Sequence, residues 1–458
     1  MRDVASGPDR AARAEYAEGF AALPAAAFST TPKGPLMLTV ARNTWPLLLG
    51  MLLLMLGNGL QGTLLGVRGA AEGFSTTAMS VVMSAYFVGF LGGSRLTPEL
   101  IRRVGHVRVF AALGSFISAV LILYAAAPDP VAWTLMRVVI GFCFSGVYVV
   151  AESWLNDSAS NETRGQTMSL YLIVQMLGIV SAQGLLNVAD PLGYNLFIIS
   201  SVLVSVSFAP ILLSVSPAPV FDTTKPMTLK RLYQVSPLGF VGIFILGAIF
   251  AALFGMTSIF AVQIGLNLQQ ISVFVASIYL GGMVLQYPIG WFSDRMDRRL
   301  LIMGLNGVGA VVMVIGLILP GSFVTLLGIG FLIGGISNPL YSLYIAYTND
   351  FLEIDDMAAA SGGLIFVNGI GAIGGPLLLG WMMDAFGPYS FFVYLGGLLA
   401  LMAGYAAYRM TQRPAPAVEE TAPYAPVAPS ASPVAVEVAQ EIAIERALGE
   451  EGNTGETN

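Results

Sequence analysis

The stretch that decides the fold is residues 290–299, which read GWFSDRMDRR. Its last six positions hold three arginines and two aspartates, in a chain of which only 10% is charged. Apolar runs flank it on both sides, over 271–289 and 300–319. About twenty apolar residues in a helix cross the roughly 30 Å of hydrocarbon in a bilayer. We therefore predict a tight loop between two membrane spans, on the cytoplasmic side because short arginine-rich loops are retained there.

Composition supports a polytopic membrane protein. The 458 residues are 56% hydrophobic, and a soluble protein would carry about 25% charged residues. A single cysteine, Cys143, excludes an intrachain disulfide and a cysteine-based metal cluster, and the single histidine, His106, cannot form a metal site alone. We predict no metal site, no cofactor and no nucleic-acid partner.

Hydrophobic periodicity predicts an all-α protein with twelve transmembrane helices. A cytoplasmic tail (1–44) precedes an N-terminal six-helix bundle (45–214), and a cytoplasmic linker (215–238) leads to a C-terminal six-helix bundle (239–410). Residues 411–458 are rich in Pro, Ala and Glu and are predicted to be a disordered cytoplasmic tail, with a short helix over 436–448. The predicted spans are 45–66, 77–97, 107–127, 132–153, 167–188, 194–214, 239–263, 271–291, 300–319, 323–347, 358–382 and 389–410.

The distribution of basic residues supports this topology. With both termini in the cytoplasm, 19 of the 21 Lys and Arg residues fall on the cytoplasmic side. Only Arg68 falls in an outer loop, and Arg137 lies inside a span. This bias predicts a multi-pass membrane protein with both tails cytoplasmic.

An internal repeat of 193 residues divides the chain into two copies. At this spacing Asn156 and Asp157 pair with Asn349 and Asp350, at the same end of the fourth and tenth predicted spans. Six spans separate the copies, so both have the same orientation. Two pseudo-symmetric six-helix bundles are therefore expected, related by an axis along the membrane normal.

The charged loop carries the pattern G-x-x-x-D-R-x-x-R-R, which resembles the signature loop of the major facilitator superfamily. Asp297 stands where that family usually has glycine. The strings at 151–157 and 164–166 resemble the YcaD-like branch of bacterial permeases. The resemblance covers roughly residues 45–410 and implies the superfamily's twelve-helix transporter fold.

Arg137 lies about one turn inside the fourth predicted span. An arginine at hydrocarbon depth costs several kcal/mol unless it faces protein or water, so we expect it to point into the bundle. Arg137 and Gly141 resemble the superfamily's motif in this span, which implies proton coupling or contact with an anion, although Ile140 replaces the usual polar residue. Three interpretations stay open: substrate or proton contact, a structural hub for backbone carbonyls, and snorkelling to the interface.

The remaining polar residues inside predicted spans are candidates for the walls of a midplane cavity. An amide in the membrane needs a partner, either another helix or a substrate. Together they predict a largely neutral cavity with one positive edge. The candidate substrate-binding residues are Arg137, Asn58, Gln61, Tyr148, Gln175, Gln263, Gln286, Asn338, Tyr341 and Asn368.

A cytoplasmic gate is the second candidate site. A carboxylate at the end of the eighth predicted span can bind arginines of neighbouring spans, although such a loop can also serve topology alone. The resemblance adds the glutamate and arginine around the loop after the fourth span. In the first bundle a glutamate takes the place of the expected aspartate. The candidate gate residues are Asp294, Arg295, Arg298, Arg299, Glu152, Arg164, Gly290, Glu99 and Arg102.

These observations predict a secondary active or facilitative transporter that moves a small solute by alternating access, as a monomer. Coupling stays open between passive facilitation and a coupling proton that uses Glu152 and Arg137. The alternative is a transporter-like sensor or lipid-handling protein without soluble-substrate flux. An enzyme is not expected, because the sequence has no His/carboxylate cluster, no nucleophile with a base and no nucleotide loop.

Overall fold

A computed structural model describes residues 36–159, 161–212, 227–319, 322–352, 354–414, 421 and 424–440. All regular structure in these ranges is helical. Residues 1–35 of the predicted N-terminal tail, half of the predicted linker (215–226) and residues 441–458 lie outside them. The helices are α1 (Leu36–Ala71), α2 (Thr76–Val104), α3 (His106–Ala126), α4 (Pro130–Ser158), α5 (Asn161–Leu185), α6 (Asn195–Leu212), α7 (Leu229–Val235), α8 (Pro237–Gln263), α9 (Leu268–Ser293), α10 (Arg298–Ile318), α11 (Phe323–Asn349), α12 (Ile354–Phe386), α13 (Ser390–Met410) and α14 over 433–440.

Twelve of these helices, α1–α6 and α8–α13, are long and apolar enough to cross a membrane. The predicted twelve-helix membrane fold is confirmed. Apolar side chains such as Phe116, Val311 and Leu401 remain exposed along the spans. Hydrocarbon is the natural surrounding for such side chains, because lipid tails are as apolar as the protein core.

The helices extend further than the predicted spans. The region between the second and third predicted spans, residues 98–106, is mostly helical, because α2 continues through Pro98 to Val104 before a turn at Gly105, whose φ of 86° suits a glycine. The charged loop is likewise shorter than predicted. Helix α9 ends at Ser293, and α10 begins at Arg298 with Asp297 as its N-cap. Some of the charge assigned to loops therefore lies on helix ends.

The two bundles repeat the same helix pairing. In the first bundle α2 packs on α4, α1 on α5 and α3 on α6. In the second bundle the equivalent pairs are α9 on α11, α8 on α12 and α10 on α13. The first pairing depends on glycine in both bundles. A Cβ at Gly141 would lie 1.9 Å from the carbonyl oxygen of Tyr86, and one at Gly334 would lie 1.9 Å from that of Ile278. Only glycine permits backbones to cross this closely.

The bundles meet along α2 with α12, α5 with α9, and α1 with α8. Helix α1 begins, and α13 ends, at one end of the structure, which we call the tail end; the other is the far end. Direct contacts join the bundles at the far end. The backbone N–H of Thr77 donates to the carboxylate of Asp384 over 2.9 Å, and Asn187 donates to Ser272 over 3.0 Å. The far end is therefore closed.

Candidate functional site

A central cavity of about 150 Å³ lies between the two bundles. Helices of both bundles form its walls, so it occupies the position expected for a transporter binding site. Among its described lining residues none is a carboxylate, and the only charged one is Arg137. Aromatic rings make up much of the remaining surface. They are Tyr86, Phe87, Phe90, Tyr148, Phe250, Phe254 and Tyr279.

Arg137 supplies the positive charge of this cavity. It lies about two turns from the start of α4, whose N-terminus is fixed by Pro130 and by the N-cap Asp129. The side chain is only 7% exposed. Its Nη2 contacts the sulfur of Met83 at 3.0 Å, its guanidinium carbon lies 5.4 Å from the ring centre of Tyr86, and its Nε has no hydrogen-bond partner among the described residues.

This environment compensates the charge of Arg137 poorly. A thioether is a weak acceptor, and a cation–π contact contributes about 0.5–2 kcal/mol. No described carboxylate forms an ion pair with the guanidinium. Because a buried charge is normally paired and hydrogen-bonded, the site has unused capacity to bind an anion or a strong acceptor.

The other candidate binding residues divide into three groups. Asn58, Tyr148, Gln175 and Asn368 line the central cavity with Arg137. The side-chain Oδ1 of Asn368 has no hydrogen-bond partner in the described part of the chain. These residues stay candidates for contact with a substrate.

Gln286 and Asn338 line a second cavity, of about 440 Å³, between α5 and α9 at the tail end. Gln61, Gln263 and Tyr341 line neither cavity. Gln263 donates to Thr76 over 2.6 Å and so helps to close the far end. Helical periodicity alone could not separate these groups, because it does not fix the rotation of each helix.

The arginines of the charged loop bond within the second bundle. Arg298 is buried and forms an ion pair with Asp350, which joins the start of α10 to the end of α11. Arg299 pairs with Asp297 at 2.8 Å. Burial alone would raise the pKa of Asp297, but hydrogen bonds from Arg299 outweigh it and lower that pKa below its usual value. Arg295 stacks on Trp291, 4.3 Å from the ring centre.

The candidate gate residues of the first bundle are placed less uniformly. Glu99 forms ion pairs with Arg102 and Arg103 on the same helix, and all three are exposed to a substantial degree. Arg164 lies near the start of α5. Glu152, by contrast, is only 1% exposed. Of these candidate gate residues of the first bundle, Glu152 faces the space between the bundles at the tail end.

A segment whose packing the sequence did not predict fills that space. Residues 424–440, part of the predicted disordered tail, are described by the structure and pack between the bundles. Glu152 and Asp294 both bind it, and a Cβ at Gly290 would lie 2.7 Å from the ring of Tyr424. The prediction of disorder therefore does not describe this part of the tail. Its composition is typical of disorder, but a cleft between two bundles provides the burial that the segment cannot create alone.

Two cavity residues could have been found from the internal repeat. Tyr86 and Tyr279 pair at the 193-residue spacing, and both line the central cavity. A repeated tyrosine at the same depth of equivalent spans indicates two positions related by the pseudo-symmetry axis. That signal identifies a site more directly than the amides did.

Comparison with known proteins assigns the family. The family model described as Major Facilitator Superfamily matches residues 47–278 and 238–444. The chain belongs to the major facilitator superfamily. It is 27% identical over 372 residues to an uncharacterized MFS-type transporter, YcaD, of Escherichia coli strain UMN026, and the match covers 79% of this chain and 94% of that protein. The predicted resemblance to YcaD-like transporters is confirmed, and the chain is a membrane transporter by family.

Solved structures agree on the fold. The nucleoside transporter NupG, in a mutant form, matches with a TM-score of 0.69 and 14% identity, over 81% of this chain and 99% of that one. A bacterial homologue of the human lysosomal transporter Spinster, in an inward-facing and unoccupied conformation, matches with a TM-score of 0.59 and 13% identity. This match covers 90% of this chain and 99% of that one. At these identities the likeness concerns the fold alone.

Proposed function

We propose that this chain moves a small solute across the bacterial inner membrane by alternating access, acting as a single copy with both termini in the cytoplasm. The observation that carries the proposal is the buried, incompletely bonded guanidinium of Arg137 in a cavity whose walls come from both bundles. The bias of basic residues toward the tail end makes that end cytoplasmic. With the far end closed, the two bundles then have an inward-facing arrangement, with residues 424–440 between them at the tail end.

The cavity favours a particular class of solute. Its aromatic walls suit a flat or apolar body, and Arg137 suits a carboxylate or another anionic group at one edge of that body. Asn58, Gln175 and Asn368 add neutral amides that can orient polar substituents. The proposed substrate is therefore a small organic anion with an apolar or aromatic body.

Rocking of the bundles would expose the cavity to alternate sides. Opening the far end requires breaking the contact of Thr77 with Asp384, and closing the tail end brings the inner ends of α4 and α11 together. Glu152 and the Asp294 region lie at that closing surface, so we assign them to the inner gate. The ion pair of Arg298 with Asp350 stiffens the second bundle beside it.

Flux into proteoliposomes tests the proposal. A panel would contain small aromatic carboxylates and, for each, the neutral amide of the same shape. We expect saturable uptake of at least one carboxylate, with its amide analogue transported at least tenfold more slowly. The Arg137→Gln variant should lose this preference, and the matched control Arg68→Gln should keep it, because Arg68 lies outside the cavity.

Equal transport of acids and amides would overturn the role of Arg137. Absence of protein-dependent flux for every member of the panel would overturn the proposed substrate class. Repeating the uptake with and without an imposed pH gradient decides coupling. If the pH gradient drives the solute to a higher concentration inside the vesicles, transport is coupled to a proton. If the solute reaches the same final concentration with and without the gradient, transport is passive facilitation.

A further inference from the structure

The segment 424–440, which we call the plug, lies between the bundles at the tail end. It has no regular secondary structure up to residue 432, apart from a turn at residues 429–430, and is helical from 433 to 440. Most of its side chains are buried although it follows the last membrane span. The buried ones are Val427, Ala428, Pro429, Ala431, Ser432, Val434, Ala435, Val436, Val438, Ala439 and Gln440.

The composition of the plug suits burial in an apolar cleft. Buried backbone N–H groups need partners, and proline has none to satisfy. Pro426 and Pro429 therefore remove two donors from the part before the helix, and Pro433 removes one at the start of the helix. The small side chains of alanine and valine add apolar contact at little cost in side-chain entropy.

Polar contacts anchor the plug to the second bundle. The backbone N–H of Tyr424 donates to Asp294 over 2.7 Å, and the hydroxyl of that tyrosine accepts from Gln286 over 2.8 Å. Ser342 binds both the N–H and the carbonyl of Val427, at 2.8 and 3.1 Å. Such two-way pairing of a backbone residue is typical of a specific docking site.

A single buried carboxylate anchors the plug to the first bundle. One oxygen of Glu152 accepts from the backbone N–H of Ser432 over 3.0 Å and also from its hydroxyl. The other oxygen accepts from Tyr171 over 3.3 Å. Glu152 forms no ion pair with the described residues, so the plug supplies two of the hydrogen bonds that this buried acid requires.

The plug also closes the central cavity. Ala428, Pro429 and Ser430 form part of the cavity wall, and Ala428 lines the second cavity as well. The plug is thus a partition between the central cavity and the wider opening at the tail end. A solute held beside Arg137 cannot leave toward the tail end while the plug is in place.

We propose that the plug is an autoinhibitory element of the same chain, which holds the bundles apart at the tail end and thereby keeps the far end closed. Rocking would require the space that residues 424–440 occupy, so the plug must leave before the far end can open. This inference rests on the proposed alternating-access function, but the readout below does not depend on any substrate.

Accessibility labelling tests the plug. In a Cys143→Ser background, which removes the only cysteine, Ser80→Cys places a reporter in the closed far-end interface, where Ser80 is buried against Gly380. A membrane-impermeant maleimide is added from the far end. Because the reporter reacts only when that end opens, the labelling rate measures the population of the outward-facing state.

Two variants release the plug by different means. Ser432→Pro removes both donors to Glu152, and Val436→Asp places a charge at a fully buried apolar position. We expect each to raise the labelling rate of the far-end reporter at least tenfold. The matched control, Gln412→Asp, adds the same charge at an exposed position beyond α13 and should change the rate less than twofold.

The proposal would be overturned if both variants labelled at rates within twofold of the protein with the unmodified plug.

A second reporter checks that the plug is docked at all. Ala435→Cys, at a buried position, should react at least tenfold more slowly from the tail end than Gln412→Cys, and equal rates would also overturn it. If the far end opens when the plug is released but no solute flux is found, the plug proposal is supported and the transport proposal fails. If solute flux is found but far-end labelling does not change when the plug is released, the transport proposal is supported and the plug proposal fails.

Discussion

Replacing Arg137 with methionine separates a functional charge from a structural one. Methionine retains most of the apolar stem and volume of the arginine side chain but removes the guanidinium. A structural hub should lose stability on this change. A charge that is buried for function should instead leave the folded protein more stable once it is removed.

The magnitude follows from the contacts of Arg137. An arginine at the centre of a membrane helix costs about 2.5–3.5 kcal/mol on insertion scales. Its contact with the ring of Tyr86 offsets about 0.5–2 kcal/mol of this, and the contact with the sulfur of Met83 adds little. We therefore expect Arg137→Met to raise the free energy of unfolding by about 0.5–3 kcal/mol.

The same substitution should weaken binding of an anionic solute. A hydrogen bond to a charged group contributes about 1.5–3 kcal/mol, which corresponds to a roughly 10- to 100-fold loss of affinity. Denaturant unfolding in mild detergent gives the first quantity, and scintillation proximity binding or calorimetry gives the second. Arg103→Met is the control, because its exposed pair with Glu99 should change stability by less than about 1 kcal/mol.

If Arg137→Met raises the free energy of unfolding and lowers the affinity for the solute, the charge of Arg137 is buried for function. An Arg137→Met protein that is less stable by more than about 1 kcal/mol, with solute affinity unchanged, would refute that role. This pair of results would identify Arg137 as a structural hub, one of the three interpretations that the sequence left open.

Three further predictions concern the packing and the gates. Gly141→Val should destabilise the first bundle by about 1–3 kcal/mol or more through overpacking of α2 on α4, whereas Gly397→Ala, with no atom within 4 Å of the new Cβ, should be tolerated in the same thermal unfolding assay. Asp350→Asn removes the nearer carboxylate of the buried Arg298, while that of Asp294 remains 3.7 Å away, and should cost about 3 kcal/mol in the free energy of unfolding; a loss under about 1 kcal/mol, as for exposed pairs, would contradict the assigned burial. Asp384→Asn weakens the closed far end and should raise far-end maleimide labelling severalfold, and an unchanged rate would remove that contact from the gate.

Much of the architecture could be predicted because it follows from local sequence. Twelve apolar segments of sufficient length and the 193-residue repeat predict the spans and the two bundles. The boundaries were less accurate at charged helix ends. Pro98 and the arginines after it suggest a loop, but a polar helix that projects from the membrane satisfies its own backbone, so α2 continues to Val104.

The site was only partly predictable, since it depends on how helices rotate and on distant contacts. Asn58 lines the central cavity, whereas Gln61, less than one turn later, does not. The contact of Asp384 with Thr77 joins residues of different bundles that no local pattern relates. The plug is the clearest case, because a Pro/Ala/Val-rich segment is disordered alone and ordered only against a surface that both bundles create.

Distances between spin labels on the two bundles test the rocking motion most directly. In a Cys143→Ser background, one pair of labels is placed at exposed positions of the far end, Glu72 and Ala385, and another at the tail end, Asp157 and Phe292. Release of the plug by Val436→Asp should lengthen the far-end distance and shorten the tail-end distance by several ångströms in the same sample. Two distances that stay unchanged, or that move in the same direction, would contradict rocking of the bundles about the central cavity.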